Sequence, residues 1–89
     1  MRKKIAVLIR ERREEALRMA VGLTLANDEI TVFFMSGLPE KNDDTVMSLQ
    51  ALQDLGARIY AGVRDAEFPF RDKAEIAGSL SAYDTVIPY

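Results

Sequence analysis

The segment KIAVLI, residues 4–9, decides the fold class of this chain of 89 residues. Its hydrophobic residues are nearly continuous and do not alternate with polar ones, which is typical of a strand covered on both faces in a parallel sheet. Three later segments share this character, namely ITVFFM at 30–35, ARIYAGV at 57–63 and DTVIPY at 84–89. The four segments predict the strands of one parallel sheet.

Segments with helical spacing separate the predicted strands, and apolar residues recur at helical intervals in the first two of them. These residues are Ala16, Met19, Ala20 and Leu23 in the first helix and Val46, Leu49, Leu52 and Leu55 in the second. Gly56 follows the second helix, where a left-handed residue commonly ends a helix. Asp72 and Glu75 have capping-box spacing at the start of the third helix.

The resulting order of elements is β-α-β-α-β-α-β. This alternation predicts a parallel sheet with helices on both faces, which is a three-layer α/β fold. The connections are short, and no internal repeat or low-complexity linker interrupts them. We expect a single domain that spans residues 1–89.

The composition limits the chemistry of the chain. It contains no cysteine and no histidine, so disulfides, thiolates, imidazole bases and the commonest metal ligands are missing, and we expect no metal and no cofactor. A formal net charge of −2 gives no general attraction to nucleic acid or anionic membranes. The apolar run near the amino terminus ends at Arg10, too early for a secretory signal or a membrane span. We expect a cytoplasmic protein without nucleic-acid or membrane partners.

Four segments give the sequence a resemblance to the DsrE-like sulfur-relay family. They are KKIAVLIR at 3–10, EEALRMAVGLT at 14–24, NDEITVFFMSGL at 27–38 and LQDLGARIYAGV at 52–63. The resemblance implies a flavodoxin-like three-layer sandwich with a four-stranded parallel sheet in the order 2-1-3-4. It also implies assembly into homo- or hetero-oligomers, and a persulfide held, in sulfur-carrying members, by a cysteine in the loop after the third strand.

This chain lacks the residue on which that sulfur chemistry depends. A persulfide carrier needs a thiolate, but Ala61, Gly62 and Val63 end the third predicted strand, and the methionines are thioethers without an ionisable S–H. We therefore expect a non-catalytic subunit that serves as a scaffold or partner in sulfur-transfer assemblies. Enzymatic activity is expected only where a partner chain completes a site.

A second hypothesis is a small-anion or nucleotide-binding module. In open α/β sheets, ligands bind at the carboxyl ends of the strands where neighbouring connections diverge, which the order 2-1-3-4 places between strands 1 and 3. Arginines beside a helix start favour a phosphate, nucleotide or carboxylate there. The candidate residues are Arg10, Arg12, Arg13, Ser36, Gly37, Arg64 and Asp65. The alternative is that these charges form a hydrated surface.

Right-handed crossovers assign each helix to one face of the sheet. With the order 2-1-3-4, the first helix lies alone on one face, and the second and third helices share the other. We then expect uncovered apolar residues on strands 3 and 4, drawn from Ile59, Ala61, Val63, Val86 and Ile87. Exposed apolar patches mark protein interfaces, so the sequence predicts a homo-oligomer or pairing with a paralogous subunit.

Overall fold

The computed structural model describes residues 3–26, 29–35, 37, 42–62 and 68–89. Within these ranges the strands are β1 (Lys4–Ile9), β2 (Glu29–Phe34), β3 (Arg58–Ala61) and β4 (Thr85–Pro88). The helices are α1 (Arg13–Leu25), α2 (Asp43–Asp54) and α3 (Lys73–Ser79), and a 3-10 turn at Leu80–Ala82 extends the last of them. All pairs of neighbouring strands are parallel. The predicted α/β class, with a four-stranded parallel sheet in a flavodoxin-like three-layer sandwich, is confirmed.

The order of the strands is 3-2-1-4, so the expected order 2-1-3-4 is wrong. β3 lies beside β2, where Phe34 opposes Ala61. β4 lies on the other side of β1, where Val7 opposes Ile87. The difference arises because a hydrophobic run identifies a strand but does not specify its neighbours.

The observed order changes which helices share a face. The first two crossovers run in the same direction across the sheet, so α1 and α2 lie together on one face, the α1–α2 face. Leu17 of α1 and Leu52 of α2 are fully buried there in one core cluster. The crossover from β3 to β4 runs the opposite way and leaves α3 on the α3 face, where Ile76 packs with Ala6 and Phe33. The expectation that α1 lies alone is therefore wrong.

Because the helices are arranged differently from expectation, the uncovered apolar residues also lie elsewhere than expected. Ile59 and Ala61 are buried in the core of the α1–α2 face, contrary to expectation, because α2 lies on the β3 side of this face. Val86 is 36% exposed and Ile87 is half-buried. Val63 lies outside the described residues. Of these two strands, β4 and not β3 therefore carries the uncovered apolar residues.

Asn42 fixes the start of α2 and joins it to α1. Its Oδ1 accepts a hydrogen bond from the Thr45 N–H at 2.9 Å, and the Thr45 Oγ1 accepts one from the Asn42 N–H at 3.0 Å, which completes a capping box. The Asn42 Nδ2 donates to Glu14 Oε1 of α1 at 3.0 Å. The capping box predicted for Asp72 and Glu75 is confirmed at the start of α3.

The carboxyl end of β3 lies very close to β2. The Gly62 N–H donates to the Phe34 carbonyl at 2.7 Å. A Cβ atom on Gly62 would lie 2.9 Å from the Met35 carbonyl oxygen and 3.0 Å from that of Phe34. Both clashing atoms belong to the backbone and cannot move by a side-chain rotation. Only glycine therefore fits at this position unless the strands shift.

We expect Asn42→Ala to lower the free energy of unfolding by about 1–2 kcal/mol, because it removes the helix cap together with the bond to Glu14. The matched control is Glu14→Ala, which removes the interhelical bond and leaves the capping box intact. As an exposed substitution, it should cost no more than about 0.5 kcal/mol. Urea unfolding followed by circular dichroism measures both values, and equal losses would contradict the importance of the cap.

We expect Gly62→Ala to destabilise the fold by about 1–3 kcal/mol, the usual cost of inserting a methyl group into a filled space. Gly22→Ala is the control, because a Cβ on Gly22 in α1 meets nothing within 4 Å. It should stabilise the fold by about 0.5–1 kcal/mol through the higher helix propensity of alanine. Thermal unfolding distinguishes them, and a Gly62→Ala protein as stable as the wild type would disprove the close approach.

Candidate functional site

The carboxyl ends of the strands form one rim of the parallel sheet. In the observed order 3-2-1-4 the strand order reverses between β1 and β4, so this rim position, and not one between β1 and β3, is where an open α/β sheet binds ligands. The backbone pairing continues past the strand ends here. The Arg10 N–H donates to the Tyr89 carbonyl at 3.2 Å, and the Met35 N–H donates to the Ile9 carbonyl at 2.8 Å. The start of the loop from β1 to α1 is thus held by backbone hydrogen bonds on both sides.

Three of the predicted arginines belong to this loop and to the start of α1. Arg10 and Arg12 are exposed, whereas Arg13 is half-buried. Arg12 is the N-cap residue of α1, and its side chain makes no capping hydrogen bond. The first turn of α1 therefore lacks a side-chain acceptor from its own cap, although Glu14 and Glu15 already place negative charge there.

Arg13 and Gly37 are brought together at the rim. A Cβ atom on Gly37 would lie 3.8 Å from the Arg13 Nη2, so the guanidinium group lies against the backbone of the segment after β2. Gly37 has a φ of 130°, a conformation that favours glycine. The Arg13 Nε atom is buried and has no hydrogen-bond partner among the described residues. An unsatisfied buried donor of a cation is costly, so an acceptor from a ligand would stabilise this arrangement.

The remaining candidates of the rim, Ser36, Arg64 and Asp65, lie outside the described residues. β3, which precedes Arg64 and Asp65 in the sequence, is separated from β1 by β2. With about 4.8 Å between neighbouring strands, the ends of β1 and β3 lie about 10 Å apart. Of the predicted set, the structure therefore places Arg13 beside Gly37 and leaves Arg10 and Arg12 on the exposed surface.

The described part of the rim carries arginine side chains and contains no histidine or cysteine. Histidine and cysteine, which are common groups in general acid–base and nucleophilic catalysis, are absent from the sequence. Among the described residues, no group of three carboxylate, thiol or imidazole side chains is arranged to hold a metal ion. The feature of the described rim that bears on ligand binding is therefore its positive charge.

A cavity of about 320 Å³ lies at the opposite end of the sheet, beside the amino ends of β1, β2 and β3. In its lining, Lys4 opposes Glu29 across β1 and β2, and Thr31 opposes Arg58 across β2 and β3. Tyr83 contributes a further hydroxyl group. These groups can form hydrogen bonds with a polar molecule. This cavity could not be expected from the order 2-1-3-4, in which β3 does not pair with β2 and Arg58 does not lie beside Thr31.

Comparison with known proteins adds no assignment. No family model, no curated protein and no solved structure matches this chain. None of the helices in the described ranges has the length and hydrophobicity of a membrane-spanning segment. The functional interpretation therefore depends on the residues themselves and on their geometry.

We expect inorganic phosphate to raise the melting temperature of the protein more than sodium chloride at equal ionic strength does. At ten times its Kd, one bound anion adds about 1.4 kcal/mol to the free energy of unfolding, or roughly 6–11 °C for a domain of this size. Arg13→Gln should abolish the additional shift. Arg18→Gln, an exposed substitution in the same helix, should retain it, and a full shift in Arg13→Gln would exclude this site.

Proposed function

We propose that this chain is a non-catalytic, DsrE-like oligomeric subunit of the cytoplasm that acts as a scaffold or partner in sulfur-transfer assemblies. The proposal combines the resemblance of residues 4–63 to that family with the absence of cysteine from the sequence. It gives the chain a binding role and leaves persulfide chemistry to a partner subunit.

The end of β3 supports a role without sulfur transfer. Ala61 is the last residue of β3 and is fully buried. At the next position, Gly62, any Cβ atom would collide with the backbone of β2. The first position after the strand thus accepts neither a thiol nor another reactive side chain without distortion of the sheet.

The β4 margin carries the proposal of self-association. We use this name for the apolar residues Leu8, Val86, Ile87 and Pro88. Leu8 and Ile87 are half-buried, and Val86 and Pro88 are exposed. Uncovered apolar side chains at one place on a small domain are typical of a protein interface.

The α3 face is covered near β3 but not near β4. Tyr60 of β3 stacks on Phe33 with 5.5 Å between ring centroids, and the Arg71 guanidinium lies 4.8 Å above the Tyr60 ring. α3 itself has only seven residues, and its buried Ile76 packs against β1 and β2. The side chain of Val86 therefore remains the main uncovered apolar group on this face of β4, where a second chain would remove it from water.

Sedimentation equilibrium at micromolar concentration tests the proposal. We expect the wild-type chain to sediment as a dimer or larger oligomer. Val86→Glu should shift it to the monomer, because association would have to remove the new carboxylate from water. The matched control is Met47→Glu, since Met47 is 69% exposed on α2 and lies outside the β4 margin, and it should leave the oligomeric state unchanged.

A monomeric wild-type chain with a cooperative thermal transition would contradict self-association. If that monomer formed a complex with a cysteine-carrying DsrE-like subunit, the scaffold role would be supported through a paralogous partner. If it formed neither assembly, the proposed function would be wrong.

A second candidate function is the binding of a small anion or nucleotide at the rim. It is favoured by one observation, the buried Arg13 Nε next to Gly37, which has no hydrogen-bond partner within the described part of the chain. This function requires no second chain, and the phosphate-dependent melting experiment separates it from self-association.

A further inference from the structure

A cavity of about 320 Å³, here called the amino-end cavity, lies beside the amino ends of β1, β2 and β3. Pockets that bind small molecules have volumes of about 300–1,000 Å³, so this one is large enough for a small metabolite. None of its lining residues belongs to the β4 margin or to the rim. Occupation of the amino-end cavity would therefore go beyond the proposed function, and it would require neither a second chain nor an anion at the rim.

Thr31 gives the amino-end cavity a buried hydroxyl group. Two other buried threonines bond within the chain. Thr24 Oγ1 donates to the Ala20 carbonyl at 2.9 Å, and Thr45 Oγ1 donates to the Asn42 carbonyl at 3.1 Å. Thr31 is only 6% exposed and lines the cavity, but its hydroxyl group makes no hydrogen bond to any described residue. A buried polar group without a partner costs free energy, so an acceptor in the cavity would stabilise this position.

Charged side chains of both signs surround Thr31. Arg58 of β3 lies opposite Thr31, and Lys4 of β1 lies opposite Glu29. The three charged residues are exposed and contribute to the lining. Because strands lie about 4.8 Å apart and rise by about 3.3 Å per residue, the Cα atoms of Arg58 and Lys4 are roughly 12 Å apart, with Glu29 on the strand between them. The amino-end cavity thus presents two separate positive groups and one negative group.

Arg58 lies on the part of β3 that the rest of the described chain leaves open. At the carboxyl end of this strand, the Ala61 N–H donates to the Pro69 carbonyl at 3.0 Å, and the Arg71 N–H donates to the Ala61 carbonyl at 2.9 Å. Phe70 thereby forms a parallel bridge with Ala61. Among the described residues no such pairing reaches Arg58, so its guanidinium group remains available to a ligand.

The carboxyl-terminal ends of two helices add partial negative charge to the cavity. α1 ends at Leu25 and α2 at Asp54, and the adjacent residues Thr24 and Leu55 line the cavity. Neither helix has a basic residue in its last turn, although cations are favoured there. These helix ends and the Glu29 carboxylate together favour a positively charged group in the ligand.

We propose that the amino-end cavity binds a free acidic amino acid, which is a small molecule with two carboxylates and one ammonium group. One carboxylate accepts hydrogen bonds from the Arg58 guanidinium and the Thr31 hydroxyl, and the other lies at the Lys4 ammonium. The ammonium group of the ligand lies at Glu29 and the helix ends. Each charge of the ligand thereby meets an opposite charge, and the buried hydroxyl group gains an acceptor.

Simpler ligands leave part of this lining unmatched. A dicarboxylate without an amino group would bring no cation to Glu29, and its own negative charges would be repelled by that carboxylate. A neutral amino acid has one carboxylate, so it would leave either Lys4 or Arg58 without an anion. The lining is therefore best complemented by a ligand with charges of both signs and a net charge of about −1.

Calorimetric titration of the wild-type chain with L-glutamate, L-glutamine and glutarate tests the charges of the ligand. L-glutamine lacks the second carboxylate, and glutarate lacks the ammonium group. We expect L-glutamate to bind at least about tenfold more tightly than either of the other two, because a hydrogen bond to a charged group contributes about a factor of ten or more in affinity.

Substitutions in the lining test where the ligand binds. Arg58→Gln should weaken the binding of L-glutamate at least about tenfold. Glu29→Gln should remove the preference for L-glutamate over glutarate, and Lys4→Gln should remove the preference over L-glutamine. The matched control is Arg18→Gln, which removes an exposed positive charge of α1 outside the cavity and should keep the affinity of the wild type. Arg13→Gln should also keep it, because the rim lies at the opposite end of the sheet.

Three results would overturn the assignment of this ligand. They are the absence of binding by L-glutamate at millimolar concentration, equal binding of glutarate and L-glutamate to the wild type, and an unchanged affinity in Arg58→Gln. Loss of binding in Arg13→Gln with full binding in Arg58→Gln would place the ligand at the rim and would likewise exclude the amino-end cavity. The ligand series on the wild type does not depend on the folding of any variant.

Discussion

The parallel pairing of β1 with β2 is the constraint on which the rest of the structure depends. Six residue pairs fix the register, from Lys4 opposite Glu29 to Ile9 opposite Phe34. Side chains alternate between the faces of a strand, so this register decides which residues lie under α1 and α2 and which lie under α3. A slip by one residue would take buried apolar side chains out of both core clusters, and both faces of the sheet would be disrupted.

The unequal covering of the two faces follows from the direction of the crossovers. Two successive crossovers in one direction bring α1 and α2 side by side, and Asn42 holds their amino-terminal ends together through Glu14. One return crossover leaves the opposite face to the short helix α3, which is assisted near β3 by the aromatic stack of Phe33 and Tyr60. The strand that this return places at the far edge, β4, receives the least cover from the chain. The sparse cover of β4 is therefore a consequence of the fold topology.

The elements of the fold could be predicted from the sequence, whereas their arrangement could not. Continuous apolar runs identify strands, and the spacing of Asp72 and Glu75 identifies the start of α3, because both signals are local. Strand order depends on contacts between distant segments. The burial of Ile59, for example, requires α2 to lie on the same face as α1, and nothing in the segment around Ile59 specifies this. An apolar residue at helical spacing is also not always buried, since Val46 is 52% exposed and Thr45 is buried in its place.

The candidate site was predictable to the extent that it is local. Arg10, Arg12 and Arg13 follow directly after a recognisable strand, and their position at the rim holds for either strand order. The contact of Arg13 with Gly37 joins segments from two strands and becomes visible only in three dimensions. The cavity between Lys4 and Arg58 depends on the strand order itself, so no sequence signal could have indicated it.

The bridge between Phe70 and Ala61 has a consequence for colloidal behaviour. A small β-sheet with both borders available can add molecules indefinitely and grow into fibrils. Here the chain pairs the outward backbone groups of Ala61, at the end of one border, with Pro69 and Arg71, so no further strand can pair at that position. The same feature would make the segment around Phe70 a safeguard against amyloid-like polymerisation, in addition to its part in the fold.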